Sequence, residues 1–226
     1  MTIGIIVAMT KELDLLLPLI ENRETRHADG FEMFCGNIGR NRVCAMVCGI
    51  GKVNAALGCM ALIHELKPDI VINTGVAGGT GAARVLDVAV ATAVGYHDVY
   101  CGPDSTYGRV IGCPQVFTPD PRAIDLLTRK GYPHIKLGTI ASGDVFVDSR
   151  PTVDRILALY PDAVGVDMES GAIAQTCHKF GVPFVVIRVI SDTPGEVADN
   201  GAQYDSFWLA APTETFNLVS ELVTEL

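Results

Sequence analysis

Basic residues are scarce in this chain: 17 Lys and Arg stand against 26 Asp and Glu, a net charge of −9 over 226 residues. That balance argues against nucleic acid or an anionic membrane as partner and leaves a neutral or cationic small molecule. Long apolar runs are missing too. No segment approaches the ~18 uninterrupted apolar residues of a membrane span. The opening MTIGIIVAMTKE is too short an apolar run, and lacks the basic flank, for a signal peptide. A soluble, cytoplasmic protein is the expectation. The seven cysteines (35, 44, 48, 59, 101, 113 and 177) are odd in number, scattered, and contain no CxxC pair. They read as small buried hydrophobes in a reducing compartment. Repeats, linkers and low-complexity segments are absent, so 1–226 reads as a single domain. With 49% hydrophobic and 19% charged residues, disorder is excluded.

What is present is an alternation of buried strands and amphipathic helices. Thr2–Ala8 reads as a first strand, and Lys11–Ile20 as a helix with leucines at 13, 16, 17 and 19. Phe31–Cys35 and Arg42–Cys48 read as a strand pair. Gly49-Ile50-Gly51-Lys52 then leads into a helix with Val53, Ala56, Leu57 and Met60 on one side. GIGKVN fits neither GxxxxGK[ST] nor GxGxxG, so a close turn for strand–helix packing is the expected use. Asp69–Thr74 is a further strand, ending in Gly75-Val76-Ala77-Gly78-Gly79, small residues that let backbone approach a flat ligand. Val85–Tyr96 and Ile135–Ser142 read as strands, Arg122–Lys130 and Val153–Leu159 as helices, and 98–118 as a long connection. His97 beside Asp98 closes a strand with no metal-ligand spacing around it. A last amphipathic helix is expected over Tyr204–Leu222, packing through Phe207, Leu209, Phe216, Leu218 and Leu222.

The stretch 163–192 carries most of the polar information. Ala163–Val166 breaks into Asp167-Met168-Glu169, and a helix with Ile173, Thr176, Cys177 and Phe180 on one face follows. Gly181 is placed as its C-terminal glycine, and Pro183 prevents it resuming. Phe184–Ile190 then runs apolar, apart from Arg188, into Ser191-Asp192. Glu12, Glu169 and Asp192 thus fall at the ends of three strands, where open α/β sheets bind ligands. Arg188 inside an apolar strand requires an acid partner, with Asp167 and Glu12 the candidates. Glu12 also has a plain alternative, as an acid favoured by the N-terminus of its helix.

GIIVAMTKEL, GIGKVNAA, INTGVAGG, SGDVFV, VDMES and VIRVISD occur in this order across essentially the whole chain. Together they resemble the 5′-methylthioadenosine/S-adenosylhomocysteine nucleosidases of the nucleoside phosphorylase superfamily. The resemblance implies an α/β, three-layer fold with a mixed, twisted, barrel-like central sheet flanked by helices. It also implies a homodimer, no metal or cofactor, and hydrolysis of the N-glycosidic bond of an adenosine thioether. Matched position by position, Glu12 is the base that activates water. Asp192 is the acid that protonates adenine N7, steadied by Ser191. Glu169 grips the ribose hydroxyls beside Met168, which packs under the sugar, Phe146 and Val147 contact adenine, Ala77 and Gly78 line sugar and base, and Arg188 counts among the substrate-binding residues. Such an acid contributes about 10²–10⁴-fold, because adenine leaves poorly as an anion. Carboxylates stabilise the oxocarbenium-like sugar, a division of labour shared with glycosidases.

Three positions depart from the pattern. Val76 stands where the nucleosidases carry a serine that helps hold the water, so Glu12, Arg188 or backbone must hold it. Asp167 replaces a glutamate, with a shorter reach to Arg188. Tyr204 replaces a phenylalanine and adds a polar group at the rim. Purine nucleoside phosphorylase is the nearest rival, but Asn73 and Val76 supply neither guanidinium nor hydroxyl for phosphate. A non-catalytic nucleoside-binding protein is the other, and it would not need both Glu12 and Asp192. Methylthioadenosine, S-adenosylhomocysteine, 5′-deoxyadenosine and aminofutalosine all remain open as substrates.

Overall fold

A computed structural model describes residues 1–196, 199–210 and 214–226, with the side chains at 209–210 and 214–216 left aside. Among the described residues nine strands form one mixed sheet: β1 Thr2–Val7, β2 Glu21–Ala28, β3 Phe31–Ile38, β4 Asn41–Val47, β5 Ile70–Gly79, β6 Val88–Tyr96, β7 Ile135–Ser142, β8 Ala163–Asp167 and β9 Phe184–Asp192. Their order is β2-β3-β4-β1-β5-β8-β7-β6-β9, and β9 also pairs with β5. That extra pairing closes β5, β8, β7, β6 and β9 into a five-stranded ring, from which β1, β4, β3 and β2 extend as an arm. The sheet is mixed, with β1–β4, β1–β5, β5–β9, β6–β7 and β7–β8 parallel and the other pairings antiparallel.

Helices cover both faces. On one, α2 (Lys52–Leu66) and α5 (Ser170–Phe180) pack Ala55, Cys59, Leu62, Ile173 and Cys177 against Ile6, Val71 and Val186. On the other, α1 (Thr10–Leu16), α3 (Pro121–Thr128), α6 (Asn200–Ala210) and α7 (Glu214–Glu225) meet Ile3, Ile5, Val185 and Ile187. Successive strand residues alternate between the two cores, which is why these strands read as unbroken apolar runs. A shorter α4, Arg150–Leu159, packs Val153 and Ile156 beside β8. The expected three-layer, barrel-like α/β architecture is therefore observed. Among the described residues no helix is long and apolar enough to cross a membrane.

Several expectations need correction. Residues 21–28 form a strand with exposed, polar side chains. An edge strand solvated on both faces has no apolar alternation to reveal it. β5 runs on through Gly75–Gly79 instead of ending at Thr74, because its small residues keep pairing, with β9 and then β8. Val53 and Leu57 of α2 face outward at 70% and 49% exposure, while Ala55, Gly58, Cys59 and Leu62 supply the packed face. The expected last helix is described as two, α6 and α7, either side of 211–213. Phe207, Leu218 and Leu222 are buried as expected, whereas Leu209 and Phe216 lie outside the described side chains. The cysteines are not all free. Cys35 and Cys44 stand opposite each other in the β3–β4 register, Cα atoms 4.0 Å apart, and form a disulfide. A cross-strand pair nine residues apart has no local motif to announce it.

Candidate active site

The carboxyl ends of β1, β5, β8 and β9 converge on one cavity of about 620 Å³ including its open mouth. Glu12, Ala77, Gly78, Phe146, Val147, Met168, Glu169, Ser191 and Asp192 all line it. Nine of the ten site residues expected from sequence are thus brought together. Arg188, the tenth, does not line the cavity but lies behind its wall, 2% exposed. The lining also includes Met9, Ile50 and Val145, which sequence reading passed over because single apolar side chains beside turns carry no distinctive pattern.

Glu12 is both a helix cap and a cavity residue, so its two readings hold together. Its Oε2 accepts the Ala8 and Met9 N–H groups, each at 2.9 Å, closing the N-terminus of α1. Its Oε1 accepts the Val76 N–H at 3.0 Å. Gly75 makes this approach possible: at φ +147° an added Cβ would stand 2.5 Å from Oε1. Burial raises the Glu12 pKa, and Arg188 and the three N–H donors oppose the rise without cancelling it.

Arg188 is paired with Asp167 through Nε at 2.9 Å and Nη2 at 2.7 Å, and Nη2 also donates to Asn73 Oδ1 at 2.6 Å. The shorter aspartate therefore reaches the guanidinium directly. Nη1 is buried with no protein partner among the described residues. Glu169 Oε1 accepts the Gly51 N–H at 2.9 Å. Gly51, at φ +92°, makes the tight turn between β4 and α2, so the GIGK segment serves the site as well as the packing. Burial and then Asp167 lift the Glu169 carboxyl to about 7. Cys48, nearby at the end of β4, is pushed up to about 12 by burial and then by Glu169, so it is no nucleophile.

Asp192 is 3% exposed, and burial raises its pKa against the opposing Ser191 hydrogen bond. The Ser191 hydroxyl donates to Oδ1 at 2.5 Å. Its other oxygen, Oδ2, faces Gly78. At the mouth, the Tyr204 hydroxyl reaches Met9 Sδ at 3.4 Å and its ring meets Phe146 edge to face, centroids 6.2 Å apart. Lys11 Nζ lies over the Tyr204 and Trp208 rings, 4.6 and 4.0 Å from their centroids.

Known proteins share this fold. The family model described as "Phosphorylase superfamily" matches residues 2–224. An S-adenosylhomocysteine nucleosidase of Streptococcus pyogenes, solved with 5-methylthiotubericidin, superposes with TM-score 0.94 at 31% identity, covering 100% of this chain and 97% of its own. The 5′-methylthioadenosine/S-adenosylhomocysteine nucleosidase of Neisseria meningitidis, solved with methylthio-immucillin-A, gives 0.93 at 35% identity over 100% and 99%. A futalosine hydrolase mutant of Helicobacter pylori gives 0.92 at 27% identity over 100% and 99%. The chain belongs to the phosphorylase superfamily, in the branch that holds the 5′-methylthioadenosine/S-adenosylhomocysteine nucleosidases.

Proposed function

We propose that this protein hydrolyses the N-glycosidic bond of adenosine thioethers, 5′-methylthioadenosine and S-adenosylhomocysteine, and of 5′-deoxyadenosine, releasing adenine. One observation carries the reading: two buried carboxylates with raised pKa values, Glu12 and Asp192, line the same cavity with Glu169. Simple nucleoside binding has no use for such a pair.

Asp192 Oδ2 delivers its proton to adenine N7 as the bond to the sugar lengthens. Loss of that bond places positive charge on the ribose, and ionised Glu169, holding the ribose hydroxyls, stabilises it. Water attacks the opposite face. Glu12 Oε2 is occupied by two backbone N–H groups, whereas Oε1 accepts one and keeps a lone pair for a water proton. Val76 contributes through its backbone N–H by holding Glu12, and Arg188 acts from behind the wall through its charge on Glu12. Phe146 and Val147 take the adenine, and Met168 packs under the sugar.

The nucleophile is water rather than phosphate on electrostatic grounds. Glu12, Asp167 and Glu169 place three carboxylates against one guanidinium, a field that repels a phosphate dianion. Asn73 is consumed by Arg188 and by the Ile6 carbonyl, 3.1 Å away. The outward Ile50, Val53 and Leu57 around α2 and Phe180 on α5, exposed apolar side chains that a second copy would cover, support a homodimer.

The test is adenine release from 5′-methylthioadenosine in phosphate-free buffer, with S-adenosylhomocysteine, 5′-deoxyadenosine and aminofutalosine as competitors. Release is expected without phosphate, with kcat lower by about 10²–10⁴-fold in Asp192→Asn. Strict dependence on phosphate would overturn hydrolysis, and near-normal turnover of Asp192→Asn would overturn the role of Asp192.

A further inference from the structure

Two sequence features remain outside this account: the His97-Asp98 pair at the end of β6 and the lysine of the GIGK turn. The structure joins them. Asp98 Oδ2 accepts the Lys52 ammonium at 2.8 Å and the Asp144 N–H at 2.8 Å. Asp144 in turn accepts the Lys52 N–H on Oδ1 at 2.7 Å. The Lys52–Asp98 pair is largely sheltered, with side-chain exposures of 26% and 16%, so solvent screens it less than a surface pair. None of the three residues lines the cavity.

Two of them adjoin residues that shape it. Lys52 follows Gly51, whose N–H binds the Glu169 carboxylate at 2.9 Å. Asp144 precedes Val145, Phe146 and Val147, which form one side of the cavity. A single carboxylate therefore holds both the turn that orients Glu169 and the loop that faces the base. We propose that Asp98, acting through Lys52 and Asp144, is a positioning residue that fixes Glu169 and the 145–147 loop relative to each other. The inference rests on the hydrolase reading for its substrate, but the clamp itself is a property of the free protein.

The expected consequence has a sign that a purely electrostatic effect cannot imitate. Glu169 faces Asp167 from β8, Arg188 from β9, Glu12 from α1 and Cys48 after β4, all untouched by changing Asp98. Removing the negative charge of Asp98 through space would make Glu169 ionise more readily. Releasing the Gly51 N–H from Glu169 would make it ionise less readily.

Titration of the Glu169 carboxyl by carbon NMR, assigned by difference from Glu169→Gln, decides between them in ligand-free protein. In Asp98→Asn the midpoint is expected to rise, by about one on the pH scale. Asp144→Ala, at an exposed position, is expected to do the same and serves where Asp98→Asn does not fold. On 5′-methylthioadenosine, kcat/KM is expected to fall about tenfold or more, and much less on the analogue lacking the ribose hydroxyls. An unchanged or lowered midpoint in the folded variants overturns the clamp. Absence of adenine release by the unmodified protein overturns the hydrolase reading instead, and leaves the titration to judge the clamp.

Discussion

Replacing Glu12 by glutamine separates its two duties. The carboxylate accepts three backbone N–H bonds, two on Oε2 and one on Oε1. Glutamine has one oxygen, and the least costly rotamer places it where Oε2 stands, keeping Ala8 and Met9. The amide nitrogen then confronts the Val76 N–H, donor against donor. Losing one hydrogen bond to a charged group and leaving its donor buried costs about 1–3 kcal/mol. For a chain of this size that lowers Tm by about 2–12 °C, which scanning calorimetry reads directly. The protein is expected to stay folded with α1 capped, while the lone pair that would take a water proton is replaced by an N–H. Adenine release in the folded variant is therefore expected to fall by about 10²–10⁴-fold. A variant that loses several degrees of Tm yet keeps kcat/KM within tenfold of the parent would show that Glu12 is a cap alone. The assignment of the base would then be wrong.

Other expectations follow from the same geometry. Glu169, lifted to about 7, binds a proton in the folded protein over a pH range in which the unfolded chain has already released it. Folded stability from this group is therefore lost as pH rises from about 4.5 to 7, on the order of 3 kcal/mol. Glu169→Gln should raise Tm at pH 8 and change it little at pH 4.5, and equal effects at both would refute the assignment. kcat/KM of the unmodified enzyme should rise around pH 7 as Glu169 ionises, and Glu169→Gln should remove that limb of the profile. The denatured chain should titrate five thiols before reduction and seven after it, since Cys35 and Cys44 are joined. Leu57→Glu, on the outward face of α2, should convert a dimer to a monomer by sedimentation while leaving the fold intact by circular dichroism.

How far the sequence disclosed this molecule depends on how local each cause is. Phe184–Ile190 is legible as a strand because every residue is buried and apolar or branched except Arg188, and the exception itself demanded the acid that Asp167 supplies. Gly181 is legible as a helix end, since it takes φ +68° there. Residues 21–28 are not legible, because their pairing with β3 comes from backbone bonds and not from any apolar face. Val53 and Leu57 mislead because helical spacing shows that residues share a face, and does not show whether that face meets the sheet or the outside. Among the site residues, the carboxylates were found through strand ends and family resemblance together. The Asp98–Lys52–Asp144 contacts join positions 46 and 92 residues apart. No spacing rule reaches that far.

The same acid-rich composition that argued against nucleic acid also shapes the chemistry. Asp167, Glu12 and Glu169 crowd a single guanidinium, so the site carries more negative charge than it neutralises. Burial and then this excess raise Glu169, while burial, against Arg188 and three N–H donors, leaves Glu12 a stronger base than a solvated glutamate. A stronger base suits the removal of a proton from water, and the surrounding negative field favours a sugar that becomes positive as adenine departs. Asp192 is proposed to act as the acid. Burial raises its pKa, Ser191 opposes the rise while fixing one oxygen, and the three-carboxylate cluster does not contribute to that shift. On the proposed reading two carboxyls take opposite roles in one cavity because one is braced by backbone donors and faces a cation, while the other is buried and accepts the Ser191 hydroxyl. Exchanging these environments, for instance by Ser191→Ala, should raise the Asp192 midpoint further and extend the alkaline limb of kcat. A limb that retreats toward lower pH would place the catalytic proton on some other group.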